Sequence, residues 1–208
     1  MSNTYIYLAS QSPRRQELLK QIGVRFEMLA PQPDEDSESI EAPLPQEKAR
    51  AYVERVTIAK SIAALARWKK TQLPWAPILC ADTTVSLPNS IDGEILGKPS
   101  NAADAARILN MLSGKTHEVL TAVAITLSPT TKPTCLVQVS EVEFIKLKPS
   151  QIEAYIDSGE PFGKAGAYGI QGLGSTFTPS IRGSYSGIMG LPLLETSQLL
   201  DLAQVTRL

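Results

Sequence analysis

The segment Ser10-Gln11-Ser12-Pro13-Arg14-Arg15 concentrates two hydroxyls and two guanidiniums between the apolar run Tyr5-Ile6-Tyr7-Leu8-Ala9 and the pattern Gln16 to Ile22. That order predicts strand, turn and helix N-terminus. Ser12 is placed to cap the helix, Pro13 suits its first position, and Leu18, Leu19 and Ile22 share a face. Open N–H groups, the positive end of the helix dipole and the two arginines together make an anion site. Phosphate oxygens can dock there against Ser10, Ser12, Arg14 and Arg15. An ordinary capped helix with solvated arginines uses the same residues, so the turn alone leaves both readings open. Asp82 follows the apolar run Ile78-Leu79-Cys80-Ala81 and is expected at the end of a buried strand. A carboxylate so placed can take a proton from water or hold a divalent cation that activates it; a turn cap is the alternative. Lys60, Lys98 and Lys164 each read singly as solvated lysines. Lys164 is followed by Ala165 and Gly166, small residues that let a ligand approach the backbone. The Gln171 amide carries both donor and acceptor, which is what reading a pyrimidine edge requires; tying down a loop is its alternative use. His117 is the only histidine and has neither a nucleophile motif nor metal-ligand partners, so it reads as structural.

These side chains must be carried by alternating strands and helices. Arg25 to Leu29 reads as a short strand, and the acidic, proline-broken stretch from Ala30 to Pro45 as a loop containing Asp34 and Glu35. Gln46 to Trp68 has Ala49, Val53, Val56, Ala59, Ile62, Ala63 and Ala66 at helical spacing and predicts a long amphipathic helix. Asn89 to Gly97 resembles a hairpin tip, and Asn101 to Leu112 a helix with Ala105, Ile108, Leu109 and Leu112 inward. Glu118 to Leu127 and Cys135 to Leu147 predict an antiparallel pair, Ser150 to Asp157 a helix capped by Ser150 with Glu153, and Glu195 to Leu202 a closing helix. Gly159 to Gly190 is the longest irregular stretch. The pattern implies an α/β mixed sheet covered by helices.

The 208 residues can bury a sizeable core without a metal or disulfide staple. A net charge of -1 argues against a general nucleic-acid or membrane surface, so any anion site must be focal. Cys80 and Cys135 lie in apolar runs without ligand spacing, which favours free thiols and a reducing, cytoplasmic setting. No stretch reaches the roughly 18 apolar residues of a membrane span, and no export signal is evident.

Further segments stand in a characteristic order: Ala81-Asp82-Thr83, Ile95-Leu96-Gly97-Lys98-Pro99, Gly114-Lys115-Thr116-His117-Glu118-Val119, Lys164 to Gly172, Gly183-Ser184-Tyr185 and Met189-Gly190-Leu191-Pro192-Leu193. In this order the chain resembles the Maf family of nucleoside triphosphate pyrophosphatases from about residue 5 to about residue 200. The resemblance implies a single Maf-like domain over 1–208, elongated and two-lobed around a cleft and similar to the inosine-triphosphate pyrophosphatase fold. It implies hydrolysis of dTTP and UTP to the monophosphate and pyrophosphate, with Asp82 as proton acceptor and a Mg²⁺ or Mn²⁺ ion held by Asp82 and Glu35. Arg14, Arg15, Lys60, Lys98 and Lys164 would offset the triphosphate charge in one cleft, and Thr83 would tune substrate choice. Gln171 within Tyr168 to Gln171 matches the dTTP/UTP type, whereas the 7-methyl-GTP type carries glutamate. A 7-methyl-GTP pyrophosphatase and a non-catalytic nucleotide-sensing regulator of cell division are the alternatives. A homodimer stays open, and no stable nucleic-acid or membrane partner is expected. Two departures are Thr84, where an aliphatic residue is usual, and Gly187, where asparagine commonly stands.

Overall fold

The computed structural model describes residues 3–32, 35, 37–88 and 95–207. Asp34 and most of the expected hairpin tip, residues 89–94, lie outside the described residues. In chain order the elements are β1 (Ile6–Leu8), α1 (Pro13–Gln21), β2 (Phe26–Met28), α2 (Ser37–Glu41), α3 (Ala49–Lys69), β3 (Ile78–Ser86) and β4 (Ile95–Leu96). They continue with α4 (Ala102–Leu112), β5 (Thr116–Thr126), β6 (Thr134–Glu143), α5 (Pro149–Asp157), β7 (Ser180–Arg182), α6 (Tyr185–Met189) and α7 (Leu193–Leu202). Short 3-10 turns at Ala165–Ala167 and Leu173–Phe177 break up the glycine-rich stretch.

Among the described residues one mixed sheet runs β2-β1-β3-β5-β6-β7, with β4 also on β3. β1 is parallel to β2 and β3, and the remaining pairs are antiparallel, including the expected β5–β6 pair. Side-chain alternation divides β3 between two faces. Ile78 and Cys80 pack with Tyr7 and with Ala64 of α3, whereas Leu79 and Ala81 pack with Leu18 and Leu19 of α1 and Leu199 and Leu200 of α7. The same alternation sends Asp82 toward α3 and Thr83 toward α1 and α6. Val85 joins a further cluster with Ile108 and Leu109 of α4, Phe144, Tyr155 of α5 and Tyr168.

Four expectations are corrected. Asp82 is not at a strand end: β3 runs on to Ser86, because it pairs residue for residue with β5 from Ile78↔Thr126 to Ser86↔Glu118. Paired backbone and β-branched Thr83 and Thr84 keep the chain extended past the charge. Ser12 occupies the N-cap position of α1 without a side-chain cap bond; its N–H instead donates to Ser10 Oγ at 3.3 Å. The cap of α5 is Lys148, whose N–H donates to Gln151 Oε1 at 2.9 Å, since Pro149 rather than Ser150 takes the first helical position. Finally, α3 begins at Ala49 because Gln46 has φ 59°, outside the right-handed helical region. Its buried stripe includes Val53, Val56, Thr57, Ser61, Ala64 and Arg67, while Ile62 is exposed.

By contrast α4 buries Ala105, Ile108, Leu109 and Leu112 as its spacing implies. Asn101 caps it, with Oδ1 accepting from Asp104 N at 2.9 Å, an interaction worth about 1 kcal/mol. Cys80 is buried, Cys135 is partly exposed, and both are free thiols. Among the described residues no helix is long and apolar enough to cross a membrane.

Candidate active site

A cleft of about 1280 Å³ is lined by every residue singled out above for chemistry: Ser10, Ser12, Arg14, Arg15, Glu35, Lys60, Asp82, Thr83, Lys98, Lys164 and Gln171. Its floor includes the middle of β3. Around it stand the β1–α1 turn, the cleft face of α3, Lys98 after β4 and the loop carrying Lys164 and Gln171.

On the α3 face, Lys60 Nζ donates to Asp82 Oδ1 and to Glu41 Oε1, both at 2.6 Å, and Lys98 Nζ donates to Glu41 Oε2 at 3.1 Å. Burial alone would lower the Lys60 pKa, but Asp82 and Glu41 outweigh it and hold the ammonium above its ordinary range. For Glu41, burial pulls upward and the Lys60 and Lys98 ammoniums outweigh it, so its carboxyl lies below the usual range. Glu35 stands apart from this chain of charges. Arg67 grips it in a fork, Nε to Oε1 at 2.6 Å and Nη2 to Oε2 at 2.5 Å, while Arg67 Nη1 donates to Leu29 O.

The opposite face of β3 holds Arg15. Its Nε donates to Gly190 O at 2.8 Å, Nη1 to Ser10 Oγ at 3.0 Å, and Nη2 makes a long contact of 3.5 Å to Thr83 Oγ1. Thr121 Oγ1 donates to Gly187 O at 2.7 Å, which leaves it to accept from Thr83 Oγ1 at 2.9 Å. Hydroxyl protons therefore run in one direction, from Thr83 through Thr121 to the backbone of α6. Gly187 fits closely here, since a Cβ there would lie 2.4 Å from Gln138 Oε1. Arg15 is thus largely spent on joining the β1–α1 turn, β3 and the loop before Leu191.

Arg14 and Lys164 differ. Neither forms an ion pair with a described carboxylate, and Lys164 Nζ donates only to the carbonyl of Glu160. Burial first, and the Arg14 charge second, hold the Lys164 pKa below its ordinary value. The Glu160 carboxylate offsets this only in part, and two neighbouring cations with no ion pair to a described carboxylate face the same cleft as the uncapped start of α1, which suits an anion site. Gln171 is exposed, and its amide makes no hydrogen bond to another described residue.

A family profile described as Maf-like protein matches residues 5–203. The chain belongs to the Maf family. Its relatives include a protein from Burkholderia lata named dTTP/UTP pyrophosphatase, 56% identical over 96% of this chain and 93% of that one. A Ralstonia nicotianae protein with the same name is 55% identical over 97% of this chain and 95% of that one. Among solved structures, the nucleoside-triphosphatase/dITP/XTP pyrophosphatase of Mycobacterium abscessus is similar with a TM-score of 0.46 and 17% identity, over 68% of this chain and 74% of that one.

In this Maf protein Glu41 and Glu160 also line the cleft, although neither was singled out from the sequence. Glu41 was one of several carboxylates in an acidic stretch, with nothing to mark it as the one that folds back onto two lysines. His117 lies away from the cleft and is fully buried, with Nε2 2.9 Å from the Tyr168 hydroxyl and its ring edge-on to Phe144. Desolvation pushes its pKa down to about 4, so it is neutral at physiological pH.

Proposed function

We propose that this Maf protein hydrolyses the bond between the α- and β-phosphates of dTTP and UTP, releasing the monophosphate and pyrophosphate. The observation that carries the reading is two cations, Arg14 and Lys164, that form no ion pair with a described carboxylate, in one cleft with a Gln171 amide that bonds no described residue. The cations suit a polyphosphate, and the amide supplies a donor and an acceptor to a pyrimidine edge. The names of relatives sharing more than half of its residues support the same substrates.

In this reading the triphosphate lies along Arg14, Lys164 and the start of α1, with Lys60 and Lys98 meeting charge nearer Asp82. Water attacks phosphorus, Asp82 takes the proton, and the bridging oxygen leaves with pyrophosphate. Lys60 holds the Asp82 carboxylate by its 2.6 Å bond and orients it.

Donor chemistry bears on the family's divalent metal. Among the described residues no group of three metal-ligating side chains occurs, but Asp82 and Glu41 converge on one cation, the Lys60 ammonium. Mg²⁺ commonly takes one or two carboxylates and completes its shell with phosphates and waters, so Asp82 with Glu41 fits it. Glu35, expected as a ligand, has both oxygens bonded to Arg67 and fits less well. A bound ion would supply charge stabilisation to the phosphate oxygens and acidify water.

A panel of nucleoside triphosphates with pyrophosphate detection tests the function. Preferential release from dTTP and UTP is expected. Preference for 7-methyl-GTP would favour that alternative, and binding without release would favour a nucleotide-sensing regulator.

A further inference from the structure

Glu160 belongs to none of the chemistry assigned above, yet the loop that presents Gln171 is wound around it. One carboxylate oxygen accepts from Leu173 N at 2.9 Å; the other accepts from Gly174 N at 3.1 Å and from the Tyr155 hydroxyl at 2.8 Å. Tyr155 in turn accepts from Gly169 N at 3.1 Å. A single carboxylate therefore binds the backbone on both sides of Gln171, directly after it and through one hydroxyl before it. The fit is close. A Cβ on Gly172 would come within 2.2 Å of Glu160 Oε2, and one on Gly174 within 2.7 Å of Gly169 O. Burial would raise the Glu160 pKa, but the Leu173 and Gly174 N–H groups and the Tyr155 hydroxyl outweigh it, so the acceptor-only ionised form is retained.

The Gln171 amide bonds no described residue, so the loop backbone decides where that amide stands. We infer that Glu160 is a specificity-positioning residue, whose carboxylate fixes the Gln171 loop and thereby sets which base the cleft accepts. The inference rests on the proposed base-reading role of Gln171. Lys164 keeps its bond to the Glu160 backbone carbonyl under any substitution here, and because the Glu160 carboxylate also attracts the Lys164 ammonium, the effect is read as a ratio between two triphosphates, in which a change in phosphate binding cancels.

The test is a double-mutant cycle of Glu160→Gln and Gln171→Ala, read as the ratio of kcat/KM for dTTP over dGTP with a thermal melt as folding control. In Glu160→Gln the side chain loses acceptor capacity, so a backbone donor of the loop is left facing an amide donor. The ratio should fall roughly three- to tenfold, with kcat for dTTP changing less than the ratio. In the Gln171→Ala background the same substitution should leave the ratio where it was, because Glu160 acts through Gln171. An unchanged ratio in folded Glu160→Gln, or an equal change with and without Gln171, overturns the inference. If Glu160→Gln does not fold, Tyr155→Phe removes the hydroxyl that links Glu160 to Gly169 and leaves the Leu173 and Gly174 bonds in place; a smaller fall in the ratio is then expected, and no fall overturns the inference. The wild-type measurement judges the functional reading separately. A wild-type preference for another base sinks the pyrimidine assignment while the cycle still decides Glu160 on the preferred base, and an absence of any preference overturns both.

Discussion

Lys60 and Lys164 line one cleft and are tuned in opposite directions. Both are pulled down by burial, but Asp82 and Glu41 more than restore Lys60, whereas for Lys164 Arg14 pushes further down and Glu160 restores only part. The group Asp82, Lys60, Glu41 and Lys98 is joined by direct ion pairs, and Arg14 and Lys164 form none with a described carboxylate. The difference separates two tasks. Paired charges hold their geometry whether or not substrate is present, which suits a residue that must aim at a reacting phosphorus. Cations without an ion pair keep a desolvation cost that an incoming anion relieves, which suits recognition. Substitutions in the first group should therefore act on turnover, and those in the second on binding.

The largest effect is expected at Asp82. Asp82→Asn retains the shape and a contact to Lys60 but removes the base, so kcat should fall by roughly 10²- to 10⁴-fold with an unchanged thermal melt. Near-normal kcat in folded protein would remove Asp82 from the chemistry and would leave the paired group as structural. Arg14→Ala should act on the other side of the contrast. Loss of one charge-assisted contact is worth roughly 1.5 to 3 kcal/mol, so triphosphate affinity should drop by about one to two decades while nucleoside affinity holds. Calorimetric titration of both ligands checks this, and equal losses would mean that the anion site had been misplaced.

Gln171→Glu replaces the amide with a carboxylate that offers acceptors only, opposite the ring carbonyls of dTTP and UTP. The ratio of dTTP to 7-methyl-GTP efficiency should fall by roughly one to two decades, following a cost of about 1 to 3 kcal/mol for an unpaired polar contact. Steady-state kinetics on both substrates decides it. An unmoved ratio would make Gln171 structural and would shift base recognition elsewhere in the cleft.

The two groups were not equally legible in the sequence. Arg14, Lys164 and Gln171 stand in contiguous motifs, and none of them bonds a distant described residue, so residue type and neighbours were enough to point to them. The paired group depends on long-range contacts. Glu41 reaches Lys60 across 19 residues and Lys98 across 57, and neither spacing leaves a periodic trace. The α4 face was readable because all its inward residues are apolar, whereas the phase of α3 was misread where the buried stripe turns polar at Thr57, Ser61 and Arg67 to serve the cleft. Asp82 suggested a strand end for the same reason. A charge inside a central strand contradicts pattern, and it is the Lys60 ammonium, contributed by α3, together with the Arg15 charge that makes it tolerable there.

The smallest expected effect comes from pH and separates the two lysines directly. Because the folded Lys164 pKa lies below the ordinary lysine value of 10.5, rising pH discharges it before an ordinary lysine, while Lys60, shifted upward, keeps its proton longer. Anion binding favours the protonated form, so by linkage the triphosphate must supply a proton-binding cost once Lys164 is neutral, and KM rises. In the alkaline window below 10.5, KM for dTTP should therefore climb a few-fold while kcat, which depends on the paired group, changes less. Lys164→Arg replaces the titrating ammonium with a guanidinium that stays charged, and should move this rise to higher pH. Should the KM profiles of wild type and Lys164→Arg superimpose, the group that titrates is not Lys164, and the contrast between a paired and an open set of cations loses its clearest consequence.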